Sequence, residues 1–245
     1  MTRPIGTRLR ARHGLATAVG VAVLLLASEA RGSGRDVALA SLDGTPLTAE
    51  LYEASSRSAP AVVLVHMLTR NKGDWDLLAN RIQDAGITAL AIDLRGHGGS
   101  AGSPQALAEM VQDVAAAVAW LMTRPGARPV AIGIVGASLG ASLALLASVD
   151  QPEVRAIGLV SPSLDYRGIR TDVNLVKSLG PRPIWLAASA DDPYALRTVR
   201  EFASQPSGPR EQFVSTVAGH GTVLLAADPD AGRALVDWLR RSLLS

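Results

Sequence analysis

At 245 residues, with 48% hydrophobic residues and no cysteine, the chain has material for a sizeable core, but none for a disulfide framework or a cysteine-held metal. Its net charge of +2 is owed to the first thirty residues, which hold four arginines and Glu29; the remaining 20 basic and 21 acidic residues leave −1. That balance excludes the basic footprint of a nucleic-acid binder.

Arg3, Arg8, Arg10 and Arg12 precede an apolar run from Leu15 to Ala27, and Ser28-Glu29-Ala30 follows. A charged start, an apolar stretch and a small-x-small end make an export signal. The run is 13 residues long, short of the roughly 20 that cross a bilayer, so no stable membrane anchor is expected. Without cysteine there is no lipid anchor, and without an adjacent arginine pair the general export route is favoured. Residues 1–30 are read as a signal peptide and 31–245 as one domain, secreted or periplasmic after cleavage near Ala30.

Val37 to Ser41 and Leu47 to Glu53 flank Asp43-Gly44-Thr45-Pro46, a hairpin signal at a sheet edge. Short apolar runs then recur at Ala61–Val65, Thr88–Ile92, Val130–Val135, Ala156–Val160, Ile184–Ala188 and Gln212–Val217, too far apart for hairpins. Helical patterns fill the gaps. Trp75, Leu78, Ala79 and Ile82 share a face after Asp74, with Gly86 at the C-terminal cap. Ser103-Pro104 reads as a cap and first-turn proline before the stripe Leu107, Val111, Val114, Val118 and Leu121. Leu235, Trp238 and Leu239 mark a last helix, and Trp75, Trp120 and Trp238 are assigned to the core. Strands alternating with helices predict a three-layer αβα sandwich: a mostly parallel, twisted sheet of about eight strands with an N-terminal antiparallel hairpin. Its working site lies at the carboxyl ends of the strands.

Gly136-Ala137-Ser138-Leu139-Gly140 joins the run at Val130–Val135 to a small-residue helix, Ala141 to Val149. In such a strand-to-helix turn the middle serine is held strained with its hydroxyl raised, and glycines two residues to either side remove colliding side chains. Ser138 is therefore the candidate nucleophile. Gly96-x-Gly98-x-x-Ala101 after a strand suggests a dinucleotide fingerprint only weakly, because Arg95 precedes it and the helix begins later. No phosphate loop and no metal-spaced cluster occurs, so neither cofactor nor metal is expected.

With Leu64-Val-His66-Met-Leu68 and Asp93-Leu-Arg-Gly-His-Gly-Gly-Ser100 added to this elbow, the chain resembles the α/β-hydrolase family over most of residues 35–245. It is most similar to small esterase-like and dienelactone-hydrolase-like members without a large cap. The resemblance implies the order nucleophile, acid, histidine. Of four histidines, His13 lies in the leader, and His66 and His97 precede the serine in recognisable loops, which leaves His220 as the base. Alignment of Pro183-Ile-Trp-Leu with the family's strand puts Asp192 on the acid; Asp191 is the reserve and Asp165 the third candidate. The resemblance also implies that the Leu139 and Leu68 N–H groups form the oxyanion hole, with Met67 where the family has glycine. About 20 residues, Ser161 to Pro183, form at most a small flap, and Leu164 and Tyr166 with Met67 are expected to touch substrate. These implications predict a serine hydrolase of small carboxylic esters or thioesters. A peptidase or amidase, or a catalytically silent binding protein of the same fold, is the alternative.

Overall fold

The computed structural model describes residues 1–2, 34–125 and 127–244; the expected signal peptide, beyond Met1 and Thr2, lies outside them. The first hairpin is β1 (Arg35–Ala40) and β2 (Pro46–Tyr52), antiparallel, closed by the Asp43-Gly44 turn with Gly44 at φ 85°. It pairs antiparallel with β4 (Thr88–Ile92), and β4 lies parallel to β3 (Ala61–Val65). The parallel array continues through β5 (Ile132–Ala137), β6 (Val154–Val160), β9 (Ile184–Ser189) and β10 (Arg210–Ser215), in the order β1-β2-β4-β3-β5-β6-β9-β10. A separate two-stranded ribbon, β7 (Asp165–Tyr166) with β8 (Ile169–Arg170), follows β6.

Strands β3, β4, β5 and β9 are buried at every residue because helices cover both faces. On one face pack α2 (Met110–Thr123), α3 (Leu139–Val149), α4 (Val173–Ser178) and α5 (Pro193–Ala203); on the other lie α1 (Asp76–Asp84) and α7 (Pro229–Leu243), with α6 (Thr222–Ala227) leading into α7. Successive strand residues divide between the two cores, with Val63 and Val65 in one and Val62 and Leu64 in the other. Trp75 and Trp238 are 1% and 3% exposed in the second, as expected. Truncating Trp75 to Ala removes core contacts worth about 3–5 kcal/mol. Trp120 differs: it is only partly buried, and the Arg124 guanidinium lies 5.4 Å from its ring centre.

The helix expected from Ser103-Pro104 starts later, at Met110. Ser103 Oγ pairs with the Gln105 side chain at 2.7 Å, and Pro104 packs so tightly on Gly96 that a Cβ there would stand 2.2 Å from the proline nitrogen. That contact holds residues 103–109 in turns rather than letting them coil. The glycine pattern at 96–98 is explained by the same crowding. A Cβ on Gly98 would meet the Asp93 carboxylate at 2.2 Å, and Asp93 accepts from the backbone N–H of Lys72 (2.7 Å) and Gly99 (2.9 Å) and from Thr48 Oγ1 (2.8 Å). Burial pushes that carboxyl up, but these donors and the Lys72 ammonium outweigh it and hold Asp93 below the usual range. The turn is thus closed on a carboxylate and is not an open phosphate cradle.

Candidate active site

Ser138 stands between β5 and α3 with φ 53° and ψ −115°, a conformation that costs a residue with a side chain about 1–3 kcal/mol. Its N–H donates to Val160 O at 2.9 Å, and its carbonyl accepts from Ala141 N at 2.9 Å, so the turn is fixed from both sides. The flanking glycines are required. A Cβ on Gly136 would come within 2.0 Å of Gly140 O, and one on Gly140 within 2.3 Å of Val65 O. The second approach lays the start of α3 against the end of β3, where the His66 loop begins.

The Ser138 Oγ is 2.8 Å from His220 Nε2, and His220 Nδ1 is 2.5 Å from Asp192 Oδ2. An ionised carboxylate only accepts, so the Nδ1 proton belongs to that contact and Nε2 is left to accept from the serine hydroxyl. Asp192 is itself anchored as the cap of α5, where its Oδ1 accepts from Ala195 N at 3.1 Å. Residues 138, 192 and 220 are thereby brought together at the carboxyl ends of β5, β9 and β10. An imidazole placed this way can take the hydroxyl proton as the oxygen attacks, while the carboxylate steadies the imidazolium.

The other candidate acids lie elsewhere. Asp191 is exposed and its N–H donates to Ser189 Oγ at 3.1 Å; Asp165 accepts from Gly168 N at 2.8 Å and from Arg170 Nε at 3.1 Å. The Gly168 bond and the Arg170 guanidinium hold the exposed Asp165 carboxyl below its ordinary range. Leu139 N–H opens α3, Leu68 follows β3, and among the described residues neither N–H has a hydrogen-bond acceptor. Met67 Sδ would lie 2.9 Å from a Cβ at Gly221, which sets it beside the residue after His220. Leu164 and Tyr166 are half-buried against the α2–α5 face. Among the described residues, no three or more His, Asp or Glu side chains group to hold a metal.

His66 and His97 brace the loops they sit in. His66 Nδ1–H donates to Met67 O at 2.8 Å and Nε2 accepts from Leu94 N–H at 3.0 Å; His97 Nδ1–H donates to Arg95 O at 3.0 Å and Nε2 accepts from Thr69 N–H at 3.3 Å. Sequence reasoning missed two further contacts on the His220 segment. Gly221 N–H donates to Ser161 Oγ at 2.9 Å, and Thr222 Oγ1 donates to Asp74 Oδ2 at 2.6 Å. The pairs are separated by 60 and 148 residues, so no local pattern announces them.

Comparison with known proteins places this site in context. An uncharacterized protein of Mycobacterium tuberculosis is 27% identical over 239 residues, covering 89% of this chain and 82% of its own. A thiohydrolase of Arthrinium phaeospermum is 33% identical over 142 residues, covering 54% of this chain and 44% of its own. The solved esterase Pf2001 of Pyrococcus furiosus superposes with a TM-score of 0.71 at 19% identity, over 86% of this chain and 93% of that one. Residues 56–193, more than half of the chain, match the family described as serine aminopeptidase, S33. The eight-stranded, mostly parallel sheet with its N-terminal hairpin agrees, and the chain belongs to the α/β-hydrolase family.

Proposed function

We propose that the protein is a serine hydrolase that cleaves small carboxylic esters or thioesters through an acyl-enzyme. The observation that carries this reading is the unbroken contact from Ser138 Oγ through His220 to Asp192, at 2.8 and 2.5 Å. Ser138 Oγ attacks the acyl carbon as His220 Nε2 takes its proton, and the carbonyl oxygen becomes an oxyanion facing the Leu139 and Leu68 N–H groups. Collapse expels the alcohol or thiol, which receives the proton from His220. Water then attacks the acyl-serine with His220 again as base, releasing the acid and restoring the hydroxyl.

Small substrates fit the cover over the site. Between β6 and β9 the chain forms only two two-residue strands and the six-residue α4, too little for a large lid. Met67, Leu164 and Tyr166 are its proposed apolar contacts. The esterase and thiohydrolase relatives support ester and thioester chemistry; the S33 description of the matched family favours an amide-cleaving second reading. Among the described residues no helix is long and apolar enough to cross a membrane, and we place the enzyme outside the cytoplasm on the strength of its leader.

Purified protein is expected to release p-nitrophenol from short acyl esters faster than p-nitroaniline from aminoacyl anilides, with Ser138→Ala slower by about 10³-fold or more. The reverse preference would favour the peptidase reading, and equal rates for both proteins would remove Ser138 from the chemistry.

A further inference from the structure

His220 sits on a segment, residues 216–221, that has no regular structure of its own, and its side chain is 44% exposed. Contacts to the ring from Ser138 and Asp192 orient an imidazole, but they do not fix the backbone that carries it. Contacts with Ser189, Ser215, Ser161 and Asp74 do, beside the backbone bond from Val223 N–H to His220 O at 3.2 Å. Ser189 Oγ donates to Val217 O at 2.8 Å and Val217 N–H donates to Ser215 Oγ at 3.0 Å, which ties down the approach to His220. On the far side are the bonds from Gly221 to Ser161 and from Thr222 to Asp74.

On the far side the Gly221 N–H takes its partner from the end of another strand. Gly221 is the N-cap of α6 and has φ 57°; the N–H groups of Val223 and Leu224 find backbone acceptors in His220 O and Gly221 O at 3.2 Å each, which leaves the Gly221 N–H to be met from outside the turn. Met67 Sδ fills the space a Cβ would need. The partner for the Gly221 N–H is supplied instead by Ser161, a fully buried residue with φ 49°, its own N–H tied to Ala187 O at 2.7 Å. Among the described residues, strained non-glycine backbone occurs at few places, and two of them, Ser138 and Ser161, directly follow the adjacent strands β5 and β6. Asp74, on the opposite side, is held by both Nε and Nη2 of Arg70 at 2.7 Å each before it accepts from Thr222.

We infer that Ser161 and Asp74 are positioning residues, a clamp on Gly221 and Thr222 that sets where the His220 imidazole meets Ser138. The inference rests on the reading of His220 as the base. It assigns a purpose to a buried strained serine and to a carboxylate–hydroxyl pair that bridges 148 residues of chain. Releasing either bond lets the helix start drift, and a shift of about 1 Å at a reacting group can cost up to about a hundredfold in rate.

The experiment measures kcat and KM for p-nitrophenyl acetate, the rate at which a fluorophosphonate labels Ser138, and the melting temperature. Thr222→Val keeps the shape and removes the hydroxyl, whereas Thr222→Ser keeps the hydroxyl. Ser161→Ala removes the acceptor, and Ser161→Gly removes it while relieving the strain. Thr222→Val, Ser161→Ala and Ser161→Gly are expected to lower kcat and the labelling rate by about ten- to a hundredfold, with KM within about twofold, and Thr222→Ser to recover most of the rate. Folded Thr222→Val that labels as fast as wild type overturns the clamp, as does Thr222→Ser impaired as severely as Thr222→Val. Should the Ser161 variants fail to fold, the Thr222 pair alone decides. Wild type that takes no phosphonate at Ser138 overturns the hydrolase reading and the clamp with it; a labelled wild type with equally fast variants overturns the clamp alone.

Discussion

His66 and His220 both follow strand ends near the same serine turn, and both have each ring nitrogen hydrogen-bonded, yet the proposed mechanism gives them opposite work. The His66 ring is fully buried between a carbonyl that accepts from Nδ1 and a backbone N–H that donates to Nε2. No proton can leave or arrive there without breaking a bond in the loop. His220 meets a carboxylate on Nδ1 and a hydroxyl on Nε2, with its side chain 44% exposed. A hydroxyl can surrender its proton and a carboxylate can steady the resulting charge, so the second ring is free to cycle. On the proposed mechanism it is the chemistry of the two partners and the exposure of the ring that make a histidine a base, not its being well hydrogen-bonded.

The contrast can be broken most severely at His220. His220→Ala should lower ester hydrolysis by about 10⁴-fold or more, measured as kcat with short acyl esters, because nothing else near Ser138 takes its proton. Asp192→Asn should cost about 10³–10⁴-fold, since an amide neither fixes the tautomer nor balances the imidazolium. Asp191→Asn, one position away and exposed, should stay within about twofold. A large loss at Asp191 with a small one at Asp192 would transfer the acid's role between neighbours.

The smallest effect sharpens the comparison from the other side. Burial pushes the His66 imidazole down to about 4 from its ordinary 6.5, against the pull of the Met67 carbonyl. The unfolded chain therefore binds a proton at this site more readily than the folded one, so the stability it contributes is complete above about 6.5 and is lost as pH falls toward about 4. Over that window the unfolding free energy should drop by at most about 1.4 kcal/mol per pH unit from this group, and His66→Gln should flatten that slope in urea titrations. An unchanged slope would mean that His66 does not titrate there.

Much of this was legible in the chain because burial on both faces leaves a strong mark. Ala61–Val65 and Thr88–Ile92 are read to the residue, since strands covered by helices must be apolar throughout. The edge strand β10 carries no such demand. Its run of apolar residues points to Gln212–Val217, whereas hydrogen bonding sets it at Arg210–Ser215, most of it partly or wholly exposed. Ser103-Pro104 misleads for a different reason, because packing of Pro104 on Gly96 within the same loop overrides the helix signal. At the site, the turn around Ser138 is local and therefore visible, and chain order narrows the histidine. The partnerships of Ser161 and Asp74 are made only when segments far apart in the chain meet, so composition around either residue says nothing of them.

The most direct test is to trap the covalent intermediate. Protein mixed with p-nitrophenyl acetate, quenched in acid and digested should yield an acetyl group on the peptide bearing Ser138, and His220→Ala handled identically should yield none. An acetyl group on a different residue, or steady turnover by a His220→Ala protein as active as wild type, would contradict the account.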